Sequence, residues 1–174
     1  MGTKLAQQDS TALLKVHLVL SYFDDIWGPK IIDTHPALEL DGLPMKTITK
    51  LIDMNALDQL GEWTFIYSDP YFSSLTFKFP IPNKDSRGGF TDYSISIVVV
   101  PSQGAVLLPF SNQNELLYRI KHTCTESVIR YIESSNEDKI DNELFKALIL
   151  VYDNIRLILE NYLNKVFPTK YRFY

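Results

Sequence analysis

The chain of 174 residues carries a net charge of −4 and is 45% hydrophobic, which fits one soluble domain burying about 70% of the surface its unfolded form exposes. Its 17 Lys and Arg are dispersed rather than clustered, so a nucleic-acid groove is not expected. The single cysteine, Cys124, can close no intramolecular disulfide and builds no cysteine-based zinc cluster, which points to a reducing, cytoplasmic setting.

Residues 1–12 read as a flexible polar lead, because apolar periodicity begins near Leu13. They lack the apolar core of a signal peptide, and Ala6 stands where a myristoylation signal after Gly2 requires Ser or Thr. From Leu14, alternation places Leu14, Val16, Leu18, Leu20 and Tyr22 on one side of an extended chain and Lys15, His17, Val19, Ser21 and Phe23 on the other. Apolar groups on both sides predict a central strand covered on both faces. Asp24-Asp25 and Gly28-Pro29 predict a reversal carrying Trp27, and Lys30-Ile31-Ile32 a return strand.

Pro36 and Gly42 mark a loop, and Pro44 is placed to open a helix to about Met54, ending before Gly61. Met45, Ile48, Leu51 and Ile52 share one face of it; Lys46, Thr49, Lys50 and Asp53 share the other. Glu62 to Tyr67 reads as a third strand, closed by Ser68-Asp69-Pro70, and Phe72 to Phe79 as a fourth. The polar run Ile81 to Asp92, with its Gly88-Gly89 pair, predicts a long mobile loop. Tyr93 to Val100 is a fifth strand, apolar on both faces at its end and therefore central.

The period then changes to that of helices. Asn112 and Glu115 have capping-box form ahead of Leu117, Ile120, Cys124, Val128 and Tyr131. After the acidic break from Ser134 to Asn142, with Asp141 available as a cap, a last helix carries Leu144, Leu148, Val151, Ile155, Ile158 and Tyr162 on one stripe. Phe145, Ile149, Tyr152, Leu159 and Leu163 widen that stripe, while Asp153, Asn154 and Arg156 keep it from being a membrane span. Pro168 ends it and leaves residues 168–174 as a tail.

The order strand, strand, helix, three strands, helix, helix resembles the longin fold over about Leu13 to Phe167. That family implies an α/β (α+β) domain over residues 13–167: a five-stranded, mostly antiparallel sheet with one helix on one face and two on the other. The stretch Tyr22-Phe23-Asp24-Asp25-Ile26-Trp27-Gly28-Pro29-Lys30-Ile31-Ile32 also looks like the start of longin modules in DENN-type GTPase regulators. The sequence carries neither the larger exchange module of those proteins nor the heptad helix of longin SNAREs. The resemblance therefore implies a stand-alone interaction module, without catalysis or cofactor, that works with a small GTPase, with another longin or roadblock subunit, or as a homodimer. Membrane association would be peripheral at most. The roadblock fold itself places a helix before the sheet, and residues 1 to 11 are too polar to supply one.

Chemical motifs are sparse. No Gly-x-x-x-x-Gly-Lys-Ser/Thr run exists, and Asn83-Lys84-Asp85 lacks both the spacer and the P-loop companion of a guanine-reading motif. His17, His35 and His122 fall on a strand, a loop and a helix without metal-ligand spacing, so no metal is expected. Cys124, on an apolar stripe with no identifiable base, reads as a small core residue. Asp24 and Asp25 serve a turn more readily than a pair of acids.

Interaction residues are better supported. Trp27 at a turn either anchors a partner or, as expected here, folds back over the core edge. Trp63, Phe65 and Tyr67 lie on the third strand, which the longin resemblance implies is a rim beside the first helix, where partners dock. The alternate residues of that strand equally suit the core. Lys46, Lys50 and Asp53 would give such a contact its charged border. A reading from another class makes the chain a small-ligand-binding or enzymatic α/β domain, with Trp27, His35 and the Lys84 to Arg87 segment edging a pocket.

Overall fold

The period-two alternation beginning at Leu14 becomes strand β1 (Ala12–Asp24), which turns through residues 25–27 into β2 (Gly28–His35). The computed structural model describes residues 12–36, 58–61, 63–100, 114–134, 140–166 and 171–173. Beyond the first hairpin come β3 (Asp58–Gly61), β4 (Thr64–Ser68), β5 (Ser73–Pro82) and β6 (Phe90–Val100), then helices α1 (Asn114–Ser134) and α2 (Ile140–Val166), and finally β7 (Tyr171–Phe173). The strands form one sheet in the order β2-β1-β6-β5-β4-β3, antiparallel throughout, and β7 joins in parallel beside residues 12–14 of β1.

The five expected strands are thus present as β1, β2, β4, β5 and β6 in an antiparallel sheet followed by two helices. Two short strands are additional. β3 lies outside β4, so the strand carrying Phe65 is not the rim, and β7 forms where a tail was expected. Four and three residues respectively are too short to display a period, and both are held by ladder pairing with longer strands. The helix expected from Pro44 to about Met54, and Asn112 as a cap, lie outside the described residues. α2 opens at Ile140, one residue ahead of Asp141, so Asp141 is not its cap.

One face of the sheet is apolar. Leu14, Val16, Leu18 and Leu20 of β1, Leu75, Phe77, Phe79 and Ile81 of β5, and Ile95, Ile97 and Val99 of β6 pack in one cluster with Ile120, Val151, Tyr152, Ile155 and Leu159 of the helices. α1 lies against β5, α2 against β1, β2 and β7, and the two helices pack on each other. Toward one end of this face Tyr22, Tyr93 and Phe79 stack across β1, β6 and β5, with centroids 5.9 and 6.1 Å apart, a cross-strand arrangement that aromatic rings favour.

The other face is buried as well but is chemically different. Val19, Phe72 and Val98 form a small apolar cluster there with Ile31, Tyr67 and Val100. Beside it Ser21 and Ser94 share a hydrogen bond of 2.6 Å, and Thr76 and Ser96 one of 2.7 Å, all four buried. His17, also buried, is 2.8 Å from the Pro36 carbonyl through Nδ1.

The run expected as a long mobile loop is strand at both ends and a tight turn between them. β5 continues to Pro82 and β6 resumes at Phe90, with Pro80, Ile81 and Pro82 paired to Asp92, Thr91 and Phe90. The remaining residues, 83–89, are tied by Asn83 N to Gly89 O at 2.9 Å, Gly89 N to Ser86 O at 2.9 Å and Ser86 N to Asn83 O at 3.2 Å. Thr91 Oγ1 accepts from Asn83 Nδ2 at 3.0 Å and lies 2.7 Å from Ser86 Oγ. Gly89 takes φ +75°, a conformation open to glycine at no steric cost. Polar composition suggested mobility, whereas these side chains close their hydrogen bonds within the turn. Amide exchange should accordingly protect Asn83 and Gly89 well beyond the rates of an unstructured segment. Exchange at coil rates across residues 83–89 would contradict this turn.

Candidate functional site

β4 resolves the alternation that the sequence left open. Thr64 and Ile66 oppose Phe77 and Leu75 and turn to the helix-covered face, whereas Phe65 and Tyr67 oppose Thr76 and Ser74 on the other. Phe65 and Tyr67 are half-buried; Tyr67 packs on Phe72 with centroids 5.3 Å apart and donates to Asp69 Oδ2 at 3.1 Å. Gln59 of β3 sits opposite Phe65 and is exposed.

Trp63 occupies the short link between Gly61 and Thr64, with its backbone at φ 57°. A two-residue hairpin link favours positive φ, yet for a bulky non-glycine residue that conformation costs of order 1 kcal/mol or more. Its carbonyl accepts from Lys78 N at 2.9 Å, and Lys78 Nζ lies 5.4 Å from the ring centroid. Lys78 is fixed in turn by Asp92 at 2.6 Å. The ring nonetheless remains 42% exposed. Lys46, Lys50 and Asp53, the expected charged border, lie outside the described residues.

Trp27 does not fold back over the core: it is 75% exposed, and Ile26 beside it 82%. The cause is local. Asp24 Oδ1 accepts from both Ile26 N and Trp27 N at 2.9 Å, and Lys30 Nζ reaches Asp24 Oδ2 at 3.0 Å while lying 5.9 Å from the Trp27 ring. The two amides and then Lys30 hold the Asp24 carboxyl below its usual range. Gly28, at φ +75°, completes the reversal into β2. Asp25 has a separate use, accepting from Arg87 N at 2.7 Å and so tying this turn to the 83–89 turn.

His35 closes β2 at the end away from Trp27, roughly 25 Å along the strand. Trp27 and the Lys84 to Arg87 segment are therefore brought to one end of the sheet, and His35 is not brought with them. His35 stacks edge-on against Tyr152 at 4.9 Å, and burial holds its pKa below the ordinary 6.5, opposed by Asp153 and Asp33 and assisted by His17. His122 pairs with Glu126 on α1 at 3.6 Å. The Cys124 side chain lies outside the described residues. Among the described residues no three His, Cys, Asp or Glu side chains gather as a metal site, and no helix is long and apolar enough to cross a membrane.

Comparison with protein-family models and with curated proteins yields no match to this chain.

The two shifted groups carry signs that can be checked. Asp24's contribution is complete above its unfolded value near 3.8 and is lost as pH falls through its lower folded value. His35 contributes fully above 6.5, and that contribution is lost as pH falls through its depressed folded value. Thermal melts of His35→Gln against wild type should therefore show a flatter dependence on pH just below 6.5. Asp24→Asn should flatten only the more acidic region. Parallel curves for wild type and both variants would show that neither group is linked to folding.

Proposed function

We propose that this chain is a non-catalytic, longin-like interaction module, a subunit or adaptor in small-GTPase regulation or vesicle traffic. In this reading it meets a small GTPase, another longin or roadblock subunit, or a second copy of itself along the rim formed by β3, with β4 behind it. The order of the described elements, and two helices sharing one sheet face, support the longin-like part of the reading. One observation carries the contact: Trp63 stays half-exposed in a costly left-handed conformation, held by Lys78, at the corner of the last two strands of the sheet. Strain held in place by surrounding contacts is a recognised mark of functional positions, and tryptophan is prominent among the anchors of interfaces.

The β3 rim supports the same reading from the backbone. Among the described residues β3 is the last strand of the sheet, and the edge of a sheet is where a partner's strand can add. Phe65 and Tyr67, on the face turned from α1 and α2, would flank that contact.

Phe65→Asp and Trp63→Asp test this directly. Each should retain a cooperative thermal transition, while recovery of the partner from the native cell extract falls on the order of 30-fold or more, the loss expected for an interface anchor. If both variants fold and recover the same partner as well as wild type does, the rim is not the contact.

A further inference from the structure

Beyond the rim contact, the end of the sheet that carries Trp27 holds a concentration of exposed apolar side chains. Phe23 and Phe90 are 51% and 55% exposed, Ile26 and Trp27 more so. They come from two hairpins, β1–β2 and β5–β6, whose turns are joined by the Arg87 N to Asp25 Oδ2 hydrogen bond. We propose that this joined tip inserts into the interfacial layer of a bilayer containing anionic lipid.

Three features fit a bilayer. The tip is built from the ends of two turns, so it presents side chains outward from the end of a sheet. A deformable lipid interface receives such a shape without a matching pocket, and Trp and Phe are the side chains that favour that layer. The display is also fixed in advance: Asp24 holds both Ile26 N and Trp27 N, and Lys30 holds Asp24 beneath the Trp27 ring. Little ordering remains to oppose binding.

Charge supplies the third feature. Residues 23–30 and 83–90 contain Asp24, Asp25 and Asp85 against Lys30, Lys84 and Arg87, so the net charge of −4 resides wholly in the rest of the chain. Asp24 and Asp25 are turned onto backbone N–H groups, whereas Lys84 and Arg87 are exposed and, among the described residues, carry no ion pair. The tip thus adds nothing to the net negative charge of the protein, and its outward cations can meet lipid phosphates.

The test uses the full chain and vesicles of phosphatidylcholine with and without phosphatidylserine. Wild type should co-sediment with the serine-lipid vesicles and more weakly with phosphatidylcholine alone. In a Trp63→Phe background, which leaves Trp27 the sole tryptophan, the emission should shift to the blue and be quenched by brominated acyl chains. Ile26→Asp and Trp27→Ala should each lower vesicle binding about tenfold or more, and Lys84→Glu with Arg87→Glu should abolish the preference for serine lipid. All these side chains are exposed, so melting temperatures serve as the folding control. Absence of binding to either vesicle, equal binding to both, or binding indifferent to Ile26→Asp and Trp27→Ala overturns the proposal. So does a tip whose variants lose a protein partner while vesicle binding is absent in wild type.

Discussion

The constraint on which the rest depends is the burial of β1 on both of its faces at once. Leu14, Val16, Leu18 and Leu20 are enclosed on one side, His17, Val19 and Ser21 on the other. Fixing such a strand costs about 1–2 kcal/mol of backbone entropy per residue, and each enclosed aliphatic side chain offsets this by roughly 1.5–3 kcal/mol. Four other elements meet it directly: β2, β6 and β7 pair with it and α2 packs on it. A one-residue slip of β1 against β6 would exchange its leucines for its histidine and serine, so the same burial that stabilises the sheet also sets its register.

The two faces do this with different chemistry. On the helix-covered face the cluster is aliphatic and aromatic throughout. On the other, the pairs Ser21–Ser94 and Thr76–Ser96 take the place that hydrocarbon would occupy. A satisfied hydroxyl pair contributes about 1 kcal/mol net, less than a buried leucine. The Oγ of Ser74, buried and without a hydrogen bond among the described residues, costs about 1–3 kcal/mol if left unpaired. Among the described residues, the apolar contacts on this face are those of Val19, Phe72 and Val98 with their neighbours.

How much of this was legible follows from length and period. The long strands and both C-terminal helices announced themselves, because eight or more residues of alternation, or several turns of a broad stripe, outweigh local accidents. β3 and β7 did not, since a strand of three or four residues is defined by its neighbour rather than by itself. Residues 81–92 misled for another reason: Asn, Asp, Ser and Gly signal a turn in either case, and composition does not distinguish a slack loop from one whose side chains satisfy its own amides. Trp27 misled most. A large aromatic ring ordinarily seeks the core, and the sequence offered no measure of the opposing restraint, two amides and a lysine gathered on Asp24.

That restraint also explains where the exposed apolar side chains went. A sheet closed over on both faces leaves little room for them along its length, so Phe23, Ile26, Trp27 and Phe90 collect where the strands reverse. Left unrestrained, four such groups would collapse on one another and hide part of their surface. Here Asp24 and Asp25 bind backbone amides in two neighbouring turns, which spreads the side chains and turns both carboxylates onto amide dipoles. At the other candidate surface the logic differs, because Trp63 is held by one lysine over its ring and a strained backbone beneath it, at the flank of a strand edge. The first arrangement suits a partner without fixed shape, the second a partner with a strand to add.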